Sequence, residues 1–111
     1  MLPFYKGGTN VSLEIKQADE GLILAISGEV DHHAAKALMA QLEAALSRQT
    51  GRQVTLDLSG VSFMDSSGIA VLLRLYRRVN EVGGTVTVRG TPAQAGKVLR
   101  AAGLQKLMCF E

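Results

Sequence analysis

The sequence predicts an α/β domain built on a mixed sheet of four or five strands, with helices packed on one face. Segments with an apolar residue at every second position alternate with segments of helical spacing, in the order β-β-α-β-α-β-α. The connections that contain helices are long enough to bring each following strand back in parallel. Two strands alternate apolar and polar side chains, which predicts that one face of the sheet stays in contact with water.

Four strands are predicted from alternating or nearly continuous apolar runs. The first covers Val11 to Ile15, and after a polar turn the second covers Leu22 to Ile26. Their short connection favours an antiparallel hairpin. Val54 to Leu58 forms the third strand and Thr85 to Arg89 the fourth, while residues 104–110 are either a short last strand or an irregular tail.

Three helices are predicted from their caps and apolar stripes. Asp31 is the expected N-cap of a helix that continues to about Ser47. The second helix ends at Gly83-Gly84. Thr91-Pro92 opens the third, with threonine at the cap and proline in the first turn, and Gly103 closes it. The apolar stripe of the second helix has i, i+3, i+4, i+7 and i+10 spacing: Ile69, Leu72, Leu73, Tyr76 and Val79.

Composition limits the kind of protein this can be. A length of 111 residues, with 47% hydrophobic and 20% charged residues, is typical of one soluble globular domain. A net charge of +2 is too small to indicate a nucleic-acid or acidic membrane partner. No apolar run reaches the roughly 18 residues of a transmembrane helix, and the start does not have the pattern of a signal peptide. We expect a flexible N-terminal arm over residues 1–10, one domain over residues 11–111, and a cytoplasmic location.

The segment Asp65-Ser66-Ser67-Gly68 is the most informative in the chain. It follows an apolar strand and leads directly into the second helix, so the two serine hydroxyls lie at a helix N-terminus. Unpaired N–H groups and the helix dipole favour negative charge there. A phosphate would change the local charge by about −1.5 to −2. The position is more typical of a switch than of a catalyst.

Sequence motifs of enzymes are missing around these serines. Met64 stands where a nucleophile elbow would have its first glycine, and no phosphate-binding glycine loop is present. The residue types of a catalytic triad are present in Ser66, Asp31 and His32 or His33. However, the chain is small and its sequence shows no loop that could form an oxyanion hole. The adjacent histidines should diverge by about 100° on a helix and so not share a metal. A small serine hydrolase or nucleotide-binding enzyme using Ser66 is therefore disfavoured, and no catalytic residue, metal ligand or cofactor is predicted.

Two stretches of the chain carry a family resemblance. Gly28 to His33 reads Gly-Glu-Val-Asp-His-His, and Ser62 to Gly68 reads Ser-Phe-Met-Asp-Ser-Ser-Gly. Together they resemble the STAS domain family, and within it the sporulation-type anti-sigma factor antagonists. The similarity extends from about Val11 to Phe110 and implies the STAS fold. Members of this type usually carry a further C-terminal helix, whereas this sequence stops at Glu111.

The resemblance implies a regulatory cycle for a protein that is not itself an enzyme. The unphosphorylated form would bind an anti-sigma factor that is also a serine kinase, which releases the sigma factor for transcription. That kinase would phosphorylate the serine after the motif aspartate, here Ser66, and a serine phosphatase would reset the cycle. The alternative within the same fold is a STAS scaffold subunit of a stress-signalling or lipid-transport complex.

Six residues are predicted to contact the partner, and most have a simpler interpretation as well. Asp31 is also the expected cap of the first helix, and Asp65 either caps the second helix or orients the Ser66 hydroxyl for the kinase. Ser67 is a secondary candidate for phosphorylation. Gly68 fits either a close approach by the partner or a tight strand–helix junction. The six predicted residues are Asp31, His32, Asp65, Ser66, Ser67 and Gly68.

Overall fold

The computed structural model describes residues 11–19, 21–47 and 53–111. The arm predicted over residues 1–10 lies outside the described residues. The elements in chain order are β1 (Val11–Ala18), β2 (Gly21–Val30), α1 (His32–Ser47), β3 (Gln53–Met64), α2 (Ser66–Glu81), β4 (Thr85–Arg89), α3 (Ala93–Ala101), a 3-10 turn (Leu104–Lys106) and β5 (Cys109–Phe110).

The five strands form one mixed sheet in the order β1-β2-β3-β4-β5. β1 pairs antiparallel with β2, and the three remaining pairs are parallel. Each parallel connection moves one strand further in the same direction. Since such connections are right-handed, their helices are placed on the same face. The predicted mixed sheet with helices on one face is confirmed.

The register separates a buried face from an open one. Leu24, Leu56 and Val88 are register neighbours across the three central strands, and all three are buried. One residue further along each strand, the next register row consists of Ala25, Asp57 and Arg89 and points to the opposite face. That row is half-buried or exposed, so one sheet face does remain in contact with water.

The two strands that lead to the serine motif are longer than predicted. The structure extends β2 to Val30 and β3 to Met64, beyond the predicted ends at Ile26 and Leu58. Simple alternation is lost because the pairing shifts register between Ala25 and Ser27 and again after Gly28. Such irregularities break the period of two without ending the strand.

The apolar stripe of α2 is only partly the predicted one. Leu72 and Val79 are buried, as expected, but the stripe is completed by Val71 and Leu75. Predicted members Ile69, Leu73 and Tyr76 are half-buried at its margins. The sequence pattern did not predict this shift because α2 packs against both the sheet and α1. Contact with two surfaces widens the buried face of the helix and moves its centre to Val71 and Leu75.

The start of α3 also differs from the prediction. Pro92 is the N-cap and makes no side-chain cap hydrogen bond. The Thr91 hydroxyl is buried and has no hydrogen-bond partner in the part of the chain that the structure describes. The predicted end is confirmed, since Gly103 follows α3 with a φ of 80°. Among the described residues, no helix is long and apolar enough to cross a membrane.

Candidate functional site

The site is built where β2 and β3 end side by side. Val30 and Met64 are parallel register partners at the carboxyl ends of these strands. The Asp65 N–H donates a hydrogen bond to the Val30 carbonyl at 3.2 Å, which continues the pairing by one step. Asp31 and Asp65 therefore follow at the same edge of the sheet, and α1 and α2 begin next to each other.

Both aspartates cap the helices that follow them. Oδ1 of Asp31 accepts hydrogen bonds from the His33 and Ala34 N–H groups, both at 3.0 Å. Oδ1 of Asp65 accepts from the Ser67 N–H at 2.8 Å. The predicted caps are confirmed, and each carboxylate also places negative charge near a helix N-terminus, where it is favourable. Partner contact by these two residues stays a prediction.

The two motif serines differ in accessibility. Ser66 is the first residue of α2 and is exposed, whereas Ser67 is half-buried and its N–H is engaged by Asp65. A kinase needs to reach the hydroxyl from solvent. Ser66 is thus the more accessible of the two serines, and phosphorylation of either stays a prediction.

Gly68 is required by packing inside the junction. A Cβ at this position would overlap the Met64 side chain, with the Met64 sulfur only 2.6 Å away and the Cγ nearer still. Gly68 itself is buried. Of the two interpretations drawn from the sequence, the structure favours the tight strand–helix junction. A direct contact between Gly68 and a partner stays a prediction.

Gln94 takes part in this site and was not found by the sequence analysis. The Met64 N–H donates to Oε1 of Gln94, and Nε2 of Gln94 donates to the Met64 carbonyl, both at 2.8 Å. An isolated glutamine in the first turn of a helix carries no sequence signal of its own. The contact between Gln94 and Met64 is evident only in the folded structure, where the start of α3 lies next to the end of β3.

His32 and His33 lie exposed in the first turn of α1. Their rings are closer than their predicted divergence suggests, with centroids 4.6 Å apart and planes tilted by 32°. Two adjacent rings can approach here because the first residues of a helix have no preceding turn to restrict their rotamers. Across the described ranges, no group of three or more histidine, cysteine or acidic residues is placed to hold a metal ion.

An open groove of about 340 Å³ lies between α1 and α2, next to Ser67. Lys36 from α1 and Arg74 from α2 contribute basic side chains to it, and Ser67 is part of its lining. The remaining lining is apolar: Ala35, Met39, Ala70 and Val71. An apolar surface with basic side chains suits part of a protein partner better than a small substrate, since the groove is open and lacks convergent polar groups.

The helix pair that forms this groove is held by ion pairs at the surface. Oε2 of Glu43 on α1 lies 3.0 Å from Nε of Arg74 and 3.5 Å from Nη1 of Arg78. Arg74 and Arg78, both exposed on α2, therefore pair with a residue of the same chain. Such exposed pairs contribute modestly, about 0–1 kcal/mol.

Comparison of the chain with known proteins identifies its family. The family described as "Mlab, STAS domain" matches residues 13–109. The chain belongs to the STAS domain family. Its five-stranded mixed sheet with helices on one face is the STAS fold, as the resemblance implied.

Individual STAS proteins match over most of their length. The anti-sigma F factor antagonist of Paenibacillus polymyxa is 33% identical over 99 residues, which cover 89% of this chain and 85% of that protein. The unphosphorylated anti-sigma factor antagonist SpoIIAA has a TM-score of 0.76 at 24% identity, over 89% of this chain and 87% of its own. The phosphorylated form of the Bacillus cell fate determinant SpoIIAA has a TM-score of 0.68 at 25% identity, over 89% and 90%.

Proposed function

We propose that this STAS protein is an anti-sigma factor antagonist of the sporulation type. In the unphosphorylated state it binds an anti-sigma factor with serine kinase activity and so releases a sigma factor for transcription. Phosphorylation of Ser66 ends the binding, and a serine phosphatase restores it. The chain acts as a kinase substrate and a binding module in the cytoplasm, with no catalytic residue of its own.

One observation carries this proposal. Ser66 is exposed at the first position of α2, directly after the capping residue Asp65. Support comes from the 33% identical relative named as an anti-sigma F factor antagonist. A structural relative, SpoIIAA, has both unphosphorylated and phosphorylated forms. No feature of the described residues favours a lipid-transport scaffold or a serine hydrolase over this function.

The partner surface that we propose surrounds this serine. It includes Asp31, His32, Asp65 and Ser67, and it extends to Phe63, a large apolar side chain that is 42% exposed. The groove between α1 and α2 continues it. Because a phosphate on Ser66 would stand beside the Asp65 carboxylate, like-charge repulsion partly offsets attraction to the helix dipole. We therefore expect the phosphate to act mainly by obstructing a close interface, with little change of fold.

The proposal is tested by incubating the protein with the anti-sigma kinase of the same genome and Mg-ATP, then mapping phosphate by peptide mass spectrometry. The expected result is a single phosphate on Ser66 in the wild type and none in Ser66→Ala. Ser67→Ala is the matched control and should still carry its phosphate on Ser66. Phosphorylation of Ser66→Ala at Ser67 would reassign the acceptor. No modification by a kinase that is active on another substrate would remove the switch from this protein.

A further inference from the structure

The end of β3 has lost its ordinary strand neighbour on one side. β4 pairs with β3 only as far as Asp57, opposite Arg89. β3 continues for seven more residues to Met64 before α2 begins. On its other side the same segment is still paired with β2, and the Asp65 N–H reaches the Val30 carbonyl.

Gln94 occupies the position of the missing neighbour. Its primary amide has an NH2 group that donates and a carbonyl oxygen that accepts, and Met64 presents one N–H and one carbonyl toward it. Both bonds are formed at 2.8 Å, and only one orientation of the amide satisfies both. The side chain therefore reproduces, at a single residue, the pair of hydrogen bonds that a neighbouring strand would supply.

Met64 connects the Gln94 hydrogen bonds to the serine motif in two ways. Its peptide is directly followed by Asp65, whose carboxylate caps α2. Its fully buried side chain lies against Gly68 in the first turn of the same helix. A shift of Met64 would therefore displace the cap and the first turn together, and Ser66 lies between them.

We infer that Gln94 is a positioning residue for the Ser66 switch. Through Met64 it holds the turn at residues 65–67 in the form that the kinase and the anti-sigma partner recognise. α3 thereby contributes to a surface formed mainly by the ends of β3 and α1 and the start of α2. This inference rests on the proposed function for its effect on phosphorylation, but its structural step is measurable without a partner.

The first test is native-state hydrogen exchange of the free protein, followed residue by residue by NMR. Gln94→Met keeps the length of the side chain and removes both hydrogen bonds. We expect the Met64 amide to exchange at least about tenfold faster, with the Leu56 amide in the centre of β3 unchanged, because the opening is local. Equal acceleration at both amides, or none at Met64, would overturn the inference.

Two further variants separate positioning from general damage. Gln94→Glu keeps an acceptor for the Met64 N–H and loses the donor to its carbonyl, so its exchange should lie between wild type and Gln94→Met. Gln105→Met makes the same replacement at an exposed residue of the 3-10 turn and should behave as wild type. If Gln94→Glu exchanges as fast as Gln94→Met, the acceptor bond has no role and the inference fails.

The second test measures phosphorylation of Ser66 at a temperature where all variants are folded by circular dichroism. We expect kcat/KM to fall about tenfold in Gln94→Met, since small displacements of a reacting group cost at least this much. Gln94→Glu should recover part of it, and Gln105→Met should lose none. Faster exchange with unchanged kcat/KM would refute the positioning role. Absence of phosphorylation in wild type would instead refute the proposed function, leaving exchange to decide whether Gln94 orders the turn.

Discussion

Ser66 is the first residue of α2 and directly follows Asp65, the N-cap of that helix. Ser66 is exposed, whereas the neighbouring Ser67 is half-buried and donates its N–H to the Asp65 carboxylate. Negative charge at this end of α2 is compatible with the helix dipole. We therefore expect that charge can be added at Ser66 without loss of the fold, as the proposed switch requires.

Ser66→Asp should lower the affinity for the anti-sigma factor at least about tenfold, which corresponds to about 1.4 kcal/mol of binding free energy. The physical reason is a fixed charge in a closely fitting interface, with α2 still capped by Asp65. Isothermal titration calorimetry with the anti-sigma factor measures the affinity, and the circular dichroism spectrum should be unchanged. Ser66→Asn, similar in size and uncharged, is the matched control and should bind more tightly than Ser66→Asp. Wild-type affinity in Ser66→Asp would contradict the prediction.

The Met64 side chain occupies the space that a Cβ at position 68 would need. The energetic coupling between the two residues can therefore be measured. Gly→Ala within a helix normally stabilises by up to about 1 kcal/mol. Here we expect Gly68→Ala to destabilise by about 1–3 kcal/mol, because its Cβ would overlap the Met64 side chain.

The check on this expectation is a double-mutant cycle by urea denaturation. In a Met64→Ala background the overlap disappears, so Gly68→Ala should become neutral or stabilising there. If Gly68→Ala changes the free energy of unfolding equally in both backgrounds, packing against Met64 is not the reason for the glycine.

At the scale of elements, the parallel pairing of β2 and β3 brings two helix N-termini together. Asp31 and Asp65 cap α1 and α2 in the same way, through backbone N–H groups of the first turn. α1 and α2 then run beside each other and are joined by the ion pairs of Glu43. The groove beside Ser67 is a consequence of this arrangement.

Removal of the α2 cap should cost stability with little effect on the rest of the fold. Asp65→Ala is expected to lower the free energy of unfolding by about 1 kcal/mol, because the Ser67 N–H loses its acceptor. Asp65→Asn retains a side-chain oxygen that can cap and should lose markedly less. Chemical denaturation of the three proteins measures the difference. Equal losses in the two variants would show that charge rather than capping matters at this position.

At the scale of the whole molecule, the open sheet face carries a charged row on its central strands. Oδ1 of Asp57 accepts from the Ser59 N–H at 3.0 Å and from its hydroxyl at 2.7 Å, while Arg89 lies 3.5 Å from Oδ2. The bonds from Ser59, backbone first, and then the charge of Arg89 lower the pKa of Asp57 below its ordinary value of 3.8, against an opposing effect of burial.

The lowered pKa of Asp57 predicts a particular loss of stability in acid. A carboxyl whose pKa is lower in the folded state stabilises the fold above its ordinary pKa, and this contribution disappears as pH falls through the folded value. The stability difference between wild type and Asp57→Asn should therefore be constant near neutral pH and shrink below about pH 4.

Denaturation at a series of pH values measures this difference. Asp19→Asn removes a carboxylate from the exposed turn after β1 and is the matched control. If the advantage of Asp57 over Asn is the same at pH 3 as at pH 7, the hydrogen bonds from Ser59 do not favour the charged form.

Much of this protein was determined by local sequence. The period of the apolar residues predicted the order of strands and helices, because burial of one face imposes a period of two or 3.6. The caps Asp31 and Asp65 were predictable since they bond to their own neighbours in the chain. The exposed Ser66 followed from the cap, and the motif around it carried the family resemblance.

What the tertiary structure alone decided involves residues distant in sequence. β3 reaches Met64 because β2 still pairs with it, and Gln94 completes that pairing from 30 residues away. The buried stripe of α2 is centred on Val71 and Leu75 because the helix packs against both the sheet and α1. Local patterns record what a residue does to its neighbours, whereas these features depend on which surfaces are brought together when the chain folds.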